Sequence, residues 1–578
     1  MTTFVRIGAV AAVALWVGAG PVAAQVAPPQ AAPPTQAAVP QHKHYDKPPG
    51  FDQAPAPGMP IAPRLQNLGV HTFPVSTANA RAQLFINQGV SLAYAFNHAE
   101  AARAFAEAAR LDPDLAMAYW GRALVLGPNI NATMNPKDEP KALEMVREAQ
   151  ERRGHATPRE RAYIDAVAAR YTGDPADRAA NDRAFADAMS RVVETFPDDA
   201  DARTMLAESL MNLRPWAYWT RDGLPYPETT RAIAELEKVF EQNPNHPAAL
   251  HLWIHIWEST DTPEKAEAQA DRLAPLMPGA GHIVHMPAHI YQRVGRHADV
   301  ITVNIAAAKA DEDYIAQCRA QGLYPLGYYP HNLHFIWMGA TASGQKAMAL
   351  DAARRVAGSI PDEALGEVPI LQGFVVVPYW AMVRFGEWDA ILADEGPRLD
   401  TKYTQAVRHY ARAMAFVAKD RLGEAERELS MLDRLVDDPD LAGMVTFSIN
   451  SGTSVLRVAR GVVAGEIAAA RKDWDQAVLH FDRAIRYEDL LIYQEPADWH
   501  APVRQTLGAV LLEAGRPEEA EAVFWEDLRR HASSGWSLFG LMQAQRAQGK
   551  AEEAAMTEAR FRQAWKDADI TLTSARIR

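Results

Sequence analysis

From residue 80 onward, apolar residues recur at the three- and four-residue spacing of amphipathic helices, with short polar or Pro/Gly breaks between the runs. No convincing pattern of alternating apolar and polar residues, as expected for strands, appears in this region. The spacing therefore predicts an all-α chain whose helices are joined by short turns.

Self-similarity along the chain is clearest between residues 85 and 113. The first predicted helix carries a bulky Phe85 and a small Gly89, the second carries Ala101 and Phe105, and Pro113 follows. Small residues let two helices approach closely, large ones fill the groove between them, and proline ends the second helix. This segment is predicted to be one helix-turn-helix repeat of about 34 residues.

Further copies of this pattern follow along the chain. Their marker residues are Tyr291, Gly295 and Ala307; Gly344 and Ala349; Gly386 and Trp388; Trp474, Ala477, Phe481 and Ala484; Gly508, Gly515, Ala520 and Phe524; and Gly549 and Ala554. Weaker copies end at Pro197, Pro244 and Pro278. Thr157, Pro158 and Glu160 are typical of a helix start with a capping box.

These residues resemble the tetratricopeptide repeat (TPR) family, and the resemblance covers most of residues 80–567. It implies an α-solenoid, a right-handed superhelix of TPR-like helix-turn-helix repeats, and says almost nothing about function. The chain also resembles a group of secreted bacterial TPR proteins without an established activity. The shared phrases are Ala118-Tyr119-Trp120-Gly121, Leu213-Arg214-Pro215-Trp216, His285-Met286-Pro287-Ala288-His289, Tyr329-Pro330-His331-Asn332-Leu333-His334 and Gly535-Trp536-Ser537-Leu538.

The N-terminus has the features of a signal peptide. Arg6 is followed by a short apolar run over 7–17, and Val22-Ala23-Ala24 offers the small residues that signal peptidase prefers. We therefore expect a signal peptide over 1–24 and a periplasmic or secreted protein without a membrane span after cleavage. Residues 25–62 are rich in proline and alanine and are predicted to be a flexible linker. A 63–350 N-terminal solenoid and a 351–578 C-terminal solenoid complete the predicted organisation.

Composition narrows the function only slightly. Hydrophobic residues make up 48% of the chain and charged residues 23%, which fits a folded protein, and the formal net charge is -13. Because no segment is strongly basic, a nucleic-acid partner is not expected. Cys318 is the only cysteine, so no disulfide can form within the chain.

The strongest candidate chemistry is a histidine cluster in the middle of the chain. Besides His297, seven of the 18 histidines fall between residues 251 and 334: His251, His255, His282, His285, His289, His331 and His334. His251 and His285 are 34 residues apart, as are His255 and His289, so they occupy equivalent positions on neighbouring first helices. Spacings of three, four and seven place side chains on one helix face.

The last pair, His331 and His334, repeats the spacing of His282 and His285 after an insertion predicted around residues 317–329. The TPR resemblance implies that this stripe lines the concave groove. Imidazoles from adjacent repeats would then converge on one transition-metal ion, and a thiol-free histidine site suits Zn or Cu. An organic or peptide ligand site and a satisfied structural network remain open as alternatives.

Other residues are candidates for the same groove. Glu258 lies one turn beyond His255, and Glu208 is predicted to lie at the height of His255 and His289, one repeat earlier. The aromatic insertion over 213–230 would bring Arg214, Trp216 and Trp219 to the groove as a lid, although a hydrophobic plug is the favoured interpretation.

Other polar residues are expected to be structural. Glu495, Asp498 and His500 lie in an irregular segment and are interpreted as cap and loop residues, although a closed superhelix would bring them to the groove. His98 and His297 fall in turns between helices and are predicted to pack there.

Three functions follow from these features. The preferred one is a solenoid that binds a transition metal through the histidines. The second is a scaffold that binds a peptide or partner protein in the groove. The third is a metal-dependent enzyme that uses the same site with Glu208 or Glu258 as general base.

Overall fold

Helix follows helix along almost the whole of the chain described by the computed structural model, which covers residues 59–318, 324–446 and 449–578. The predicted signal peptide and most of the predicted linker lie outside these residues. Within the described ranges, the all-α prediction is confirmed, since the only paired strands found there are the two-residue β1 (Val445–Thr446) and β2 (Asn450–Ser451), which are antiparallel.

The helices are numbered in chain order. The first half contains α1 (Ala80–Tyr94), α2 (His98–Leu111), α3 (Ala116–Leu126), α4 (Glu139–Glu151), α5 (Pro158–Ala168), α6 (Arg178–Thr195), α7 (Ala200–Met211), α8 (Pro227–Gln242), α9 (Pro247–Trp257), α10 (Glu267–Leu273), α11 (Gly281–His285), α12 (Pro287–Val294), α13 (His297–Cys318) and α14 (Tyr329–Ala342).

The second half contains α15 (Lys346–Gly358), α16 (Asp362–Glu367), α17 (Gln372–Val375), α18 (Val377–Phe385), α19 (Trp388–Ala393), α20 (Lys402–Ala418), α21 (Leu422–Val436), α22 (Pro439–Gly443), α23 (Gly452–Ala470), α24 (Trp474–Glu488), α25 (Val503–Glu513), α26 (Pro517–Arg530), α27 (Gly535–Ala547) and α28 (Ala551–Ala564). Successive helices pack in neighbouring pairs, so the chain is an α-solenoid of the TPR type.

The packing residues of the repeat explain this pairing. Phe105 of α2 is fully buried between Gly89 of α1 and Gly121 of α3. A Cβ atom on either glycine would come within 2.7 Å or 2.4 Å of the Phe105 ring, so only glycine fits at both contacts. The large residue therefore joins its own helix pair to the next pair, as the repeat pattern predicts.

Helix ends also follow the sequence signals. Thr157 accepts a hydrogen bond from the backbone N–H of Glu160, whose side chain accepts one from Thr157, so the predicted capping box is present at α5. Gly295 and Gly344 end α12 and α14 in the left-handed region, with φ of 83° and 73°, where a side chain would be strained.

The predicted division of the solenoid at residue 350 falls inside α15. Buried apolar side chains form two core clusters, one from residues 62–300 with Phe335 and one from residues 301–575. The clusters meet at α13 and α14, and contacts cross between the halves, since Trp536 Nε1 donates to the Thr341 carbonyl at 2.9 Å.

Both ends of the described chain pack on helices. The backbone of Ile61 contacts Glu107 and Arg103 of α2, so the last residues of the predicted linker are already bound to the solenoid. After α28, Asp569 accepts hydrogen bonds from the backbone at the start of α15, and Arg576 pairs with Glu466 and Glu513. Among the described residues, no helix is both long enough and apolar enough to cross a membrane.

Candidate metal centre

Three buried histidines from neighbouring repeats meet at the first histidine set, His251, His255 and His282. α9 supplies His251 and His255 one turn apart, and α11 of the next repeat supplies His282. The Nε2 atoms of His251 and His255 are 3.0 Å apart, and ring nitrogens of all three lie within 4.8 Å of one another.

The hydrogen bonds made by the Nδ1 atoms of the two α9 histidines determine which nitrogen of each ring carries the proton. His251 Nδ1 is 2.8 Å from the Tyr94 carbonyl oxygen, and His255 Nδ1 is 2.6 Å from Glu258 Oε1. Both partners accept hydrogen bonds only, so each Nδ1 carries the proton and donates it. The two Nε2 lone pairs therefore point toward each other with no proton of either neutral ring between them.

His282 completes the first set with a ring that makes no hydrogen bond. Within the described residues, neither ring nitrogen has a hydrogen-bond partner, and the residue is only 2% exposed to solvent. The ring packs against His251 and Tyr328, with centroid separations of 4.9 Å and 4.6 Å. A buried imidazole without a partner costs about 1–3 kcal/mol, so this arrangement calls for a ligand or a functional reason.

The second histidine set is His285, His289 and His331, whose ring nitrogens also lie within 4.8 Å of one another. The Nε2 atoms of His285 and His289 are again 3.0 Å apart. Met286 between them keeps right-handed helical backbone angles, so the stripe continues from α11 into α12 despite Pro287. His331 joins the set from α14 of the following repeat.

In the second set, the Nδ1 atoms of His285 and His289 likewise donate to oxygen acceptors. His285 Nδ1 donates to Asn304 Oδ1 at 2.7 Å, and Asn304 is held in that orientation because its Nδ2 donates to the Val300 carbonyl. His289 Nδ1 donates to Glu495 Oε2 at 3.1 Å and makes a 2.8 Å ion-pair contact with Glu258 Oε2. Glu258 therefore connects the two sets, one carboxylate oxygen to each.

Burial and these carboxylates determine the charge of the rings. Burial lowers the pKa of His251, His282, His285 and His331 well below the ordinary value. Burial also lowers the pKa of His289, but Glu258 and Glu495 outweigh it and raise that pKa to about 10.

Glu258 itself is ionised. Its burial favours the neutral form, but His289 and His255 outweigh this and hold its pKa at about 2. Both of its oxygens face imidazole N–H groups, so Glu258 orients rings and is not placed as a general base. This geometry does not support the role of base that the sequence suggested for it.

The histidines are enclosed. Phe96, in the turn after α1, lies 4.5 Å from His251 between ring centroids, and Trp216 of the aromatic insertion meets His255 edge-on at 5.2 Å. Tyr328 packs against His282, with ring centroids 4.6 Å apart. The histidine stripe is therefore buried inside the solenoid rather than exposed on the wall of an open groove, and Trp216 of the insertion contacts it at His255.

Four sequence candidates lie elsewhere. His334 belongs to neither set, and its ring stacks on Trp337 at 5.1 Å. Arg214 is largely exposed and contacts Tyr226 and Glu228. The remaining two, Glu208 and Trp219, do not contact the histidine rings: Glu208 lines a small cavity with His98 and Arg170, and Trp219 packs on Trp257.

Several residues of the site were missed or weighed differently from sequence. Tyr94, Phe96 and Asn304 were not singled out, although Asn304 is a polar residue between the apolar positions of α13. Glu495 was expected to be a cap or loop residue, and it does lie in a loop, but it is buried and contacts His289. The feature of the sequence that could have indicated a role for Glu495 at this site is its position in an irregular segment without repeat residues.

A third group close enough to hold an ion, His71, Asp201 and His246, differs from the two histidine sets because a carboxylate lies between its imidazoles. Asp201 Oδ1 lies 3.0 Å from His71 Nε2 and 3.2 Å from His246 Nε2. His246 Nδ1 accepts the backbone N–H of Ala249, so its Nε2 carries the proton and donates to Asp201. Each donor of His246 meets an acceptor, and no lone pairs are opposed there.

Comparisons with known proteins support no family assignment. No family model matches the chain, and no curated protein matches it. Similar solved structures include the APC/C hetero-tetramer Cut9–Hcn1 (11% identity, 85% of this chain and 80% of that chain, TM-score 0.32) and Ypp1 (7%, 84% and 88%, 0.39). Another is the human IFIT1 dimer with m7Gppp-AAAA (12%, 85% and 91%, 0.30). At these scores no functional argument follows.

Proposed function

We propose that this TPR-type solenoid binds a transition-metal ion at its buried histidine sets, and that its function depends on that ion. Support comes mainly from the first set. The Nε2 atoms of His251 and His255 are 3.0 Å apart with their lone pairs facing each other, because both Nδ1 protons are donated to oxygen acceptors outside the pair. A cation between these nitrogens turns a repulsive contact into an attractive one.

The distances suit such an ion. Zn–N bonds of about 2.0–2.1 Å in a tetrahedral site place two ligand nitrogens about 3.3 Å apart. His282 supplies a third nitrogen, which would explain a buried ring without hydrogen bonds. The Nδ1 contacts to a carbonyl and a carboxylate are those that orient metal-bound imidazoles in other proteins.

The ligand type limits the metal. Nitrogen-only ligands without thiolates suit Zn, Cu, Ni or Fe, and disfavour Mg and Ca, which prefer oxygen. The N-terminal signal pattern leads us to propose a periplasmic or secreted location as well, where copper and zinc are the metals that we favour.

The direct experiment is metal analysis of the purified protein before and after loading with Zn(II) or Cu(II) and removal of excess metal. We expect bound metal in the wild-type protein and a large loss in a His251→Ala/His255→Ala variant. His71→Ala is the matched control, because His71 also belongs to a histidine–carboxylate cluster, but one in which Asp201 lies between the two rings and accepts a hydrogen bond from His246.

Circular dichroism of the metal-free variants should show the wild-type helix content, which separates loss of ligands from loss of fold. Equal and negligible metal in wild type and variant would overturn the proposal. Loss of metal in His71→Ala to the same extent would also contradict it, since that residue contacts neither histidine set.

A scaffold function has support from a different part of the chain. The solenoid already binds an extended segment, residues 569–578, through Arg576 and backbone contacts at the start of α15. An extended peptide of another protein that carries a basic side chain would bind the same two carboxylates, Glu466 and Glu513. Competition between a synthetic peptide and this segment, measured by fluorescence anisotropy, tests this second candidate, and no binding at any salt concentration would contradict it.

A further inference from the structure

The two histidine sets are related by the repeat itself. Moving along the chain by one repeat of 34 residues takes His251 to His285 and His255 to His289. The third member changes from His282 to His331, a step of one repeat plus the 15-residue insertion before α14. Each set therefore takes a pair of histidines from one repeat and one histidine from the next.

The geometry is repeated together with the sequence. Both pairs hold their Nε2 atoms 3.0 Å apart, and in both the outer Nδ1 atoms face oxygen acceptors. The residue one repeat after Glu258 is Gln292, which instead contacts His297. Glu495, from a loop distant in sequence, accepts the hydrogen bond of His289 Nδ1. The second pair therefore has a carboxylate acceptor even though the equivalent repeat position does not supply one.

From this duplication we infer that the protein binds two transition-metal ions, one in each histidine set, as a dinuclear centre connected by Glu258. This inference rests on the proposed function, and it adds the number of ions and the residues that hold each. Ring centroids of His282 and His285 are 5.9 Å apart and those of His255 and His289 are 6.3 Å apart, so the two sets adjoin.

Three imidazoles around each ion leave at least one coordination position for a small ligand in a four-coordinate site. Glu258 contributes through the outer sphere, with Oε1 on His255 of the first set and Oε2 on His289 of the second. One carboxylate therefore raises the basicity of a ligand in each set, and binding at one set is coupled to the other. The duplication ends there, because Met338 stands where a third pair would need a histidine.

A competing arrangement is a single ion in the first set and a proton between His285 and His289. His331 distinguishes the two, because a shared proton needs only the pair, whereas a metal ion uses the third nitrogen as well. The histidines can therefore be tested one set at a time.

The experiment is metal stoichiometry of the full chain after loading with Zn(II), and separately with Cu(II), by inductively coupled plasma mass spectrometry. We expect two ions per chain in the wild type, one in His282→Gln, one in His331→Ala and two in the His71→Ala control. His331 is half-buried, so its variant disturbs packing least. Helix content of each metal-free variant is measured in parallel.

One ion in the wild type, retained in His331→Ala and lost in His282→Gln, would overturn the second site and leave the proposed function intact. One ion lost in both variants would show that six histidines serve a single site, which also overturns the inference. No metal in the wild type would overturn both proposals together. If His282→Gln fails to fold, the number of metal ions bound by the wild type and by His331→Ala still decides between one site and two.

Discussion

His255 Nδ1 donates a hydrogen bond to Glu258 Oε1 at 2.6 Å, and His289 Nδ1 makes an ion-pair contact with the other oxygen of that carboxylate, Oε2, at 2.8 Å. The two histidines lie one repeat apart in sequence and belong to different histidine sets. Glu258 is fully buried, so its charge is balanced by these rings and not by water. The carboxylate thus fixes the orientation of one ring in each set.

Glu258→Gln is expected to weaken metal binding by about 10–100-fold, the usual effect of removing a partner of a metal-bound imidazole. The neutral amide has a single acceptor oxygen and no charge, so it cannot keep both the hydrogen bond from His255 and the ion pair with His289. Chelator competition measures the affinity. Glu208→Gln is the control, because this buried carboxyl lies beside His98 and Arg170, away from both sets, and an equal effect there would contradict the role of Glu258.

His282→Leu is expected to stabilise the metal-free protein while abolishing the first metal site. The free energy of unfolding should rise by about 1–2 kcal/mol, because a buried ring without hydrogen bonds is replaced by an apolar side chain. Urea unfolding of metal-free protein provides the measurement. A lower stability of the variant would indicate that His282 serves the fold and not a ligand.

Trp216→Ala is expected to speed release of metal to a chelator several-fold, because its ring covers the edge of His255. Stopped-flow transfer to a coloured chelator measures the rate. Arg214→Ala, in the same insertion but in contact with Tyr226 and Glu228, should release metal at the wild-type rate. Equal rates for Trp216→Ala and the wild type would show that the insertion does not cover the site.

Asp201→Asn is expected to cost about 3 kcal/mol at neutral pH and to leave metal content unchanged. Burial opposes ionisation of Asp201, but hydrogen bonds from His246 and His71 outweigh it and hold its pKa well below the ordinary value. Its stabilising contribution is therefore present above about pH 4 and is lost as the pH falls further. The difference between wild type and variant, followed by denaturation against pH, should shrink on acidification; a difference that grows would contradict this.

The fold was predictable because its signals are local. The contacts of Phe105 with Gly89 and Gly121 appear in the sequence as small and large residues at fixed spacing. The register of His251 with His285 was readable in the same way, because a repeat copies its positions.

The closure of the site was not predictable, because it joins residues far apart in sequence. The Tyr94 carbonyl approaches His251 across 157 residues, and Glu495 approaches His289 across 206. Such contacts depend on the curvature of the whole solenoid, which small rotations between successive helix pairs determine. No local sequence pattern predicts that curvature. The burial of the histidines and the contact of Glu495 with His289 are therefore visible only in the structure.

Anomalous X-ray diffraction from crystals of the metal-loaded protein, recorded above and below the absorption edge of the metal, would locate the bound ions directly. We expect two edge-dependent peaks per chain, one among the Nε2 atoms of His251 and His255 beside His282, and one among those of His285 and His289 beside His331. Loaded crystals with no anomalous peak at either histidine set, or with metal only at surface carboxylates, would contradict this expectation.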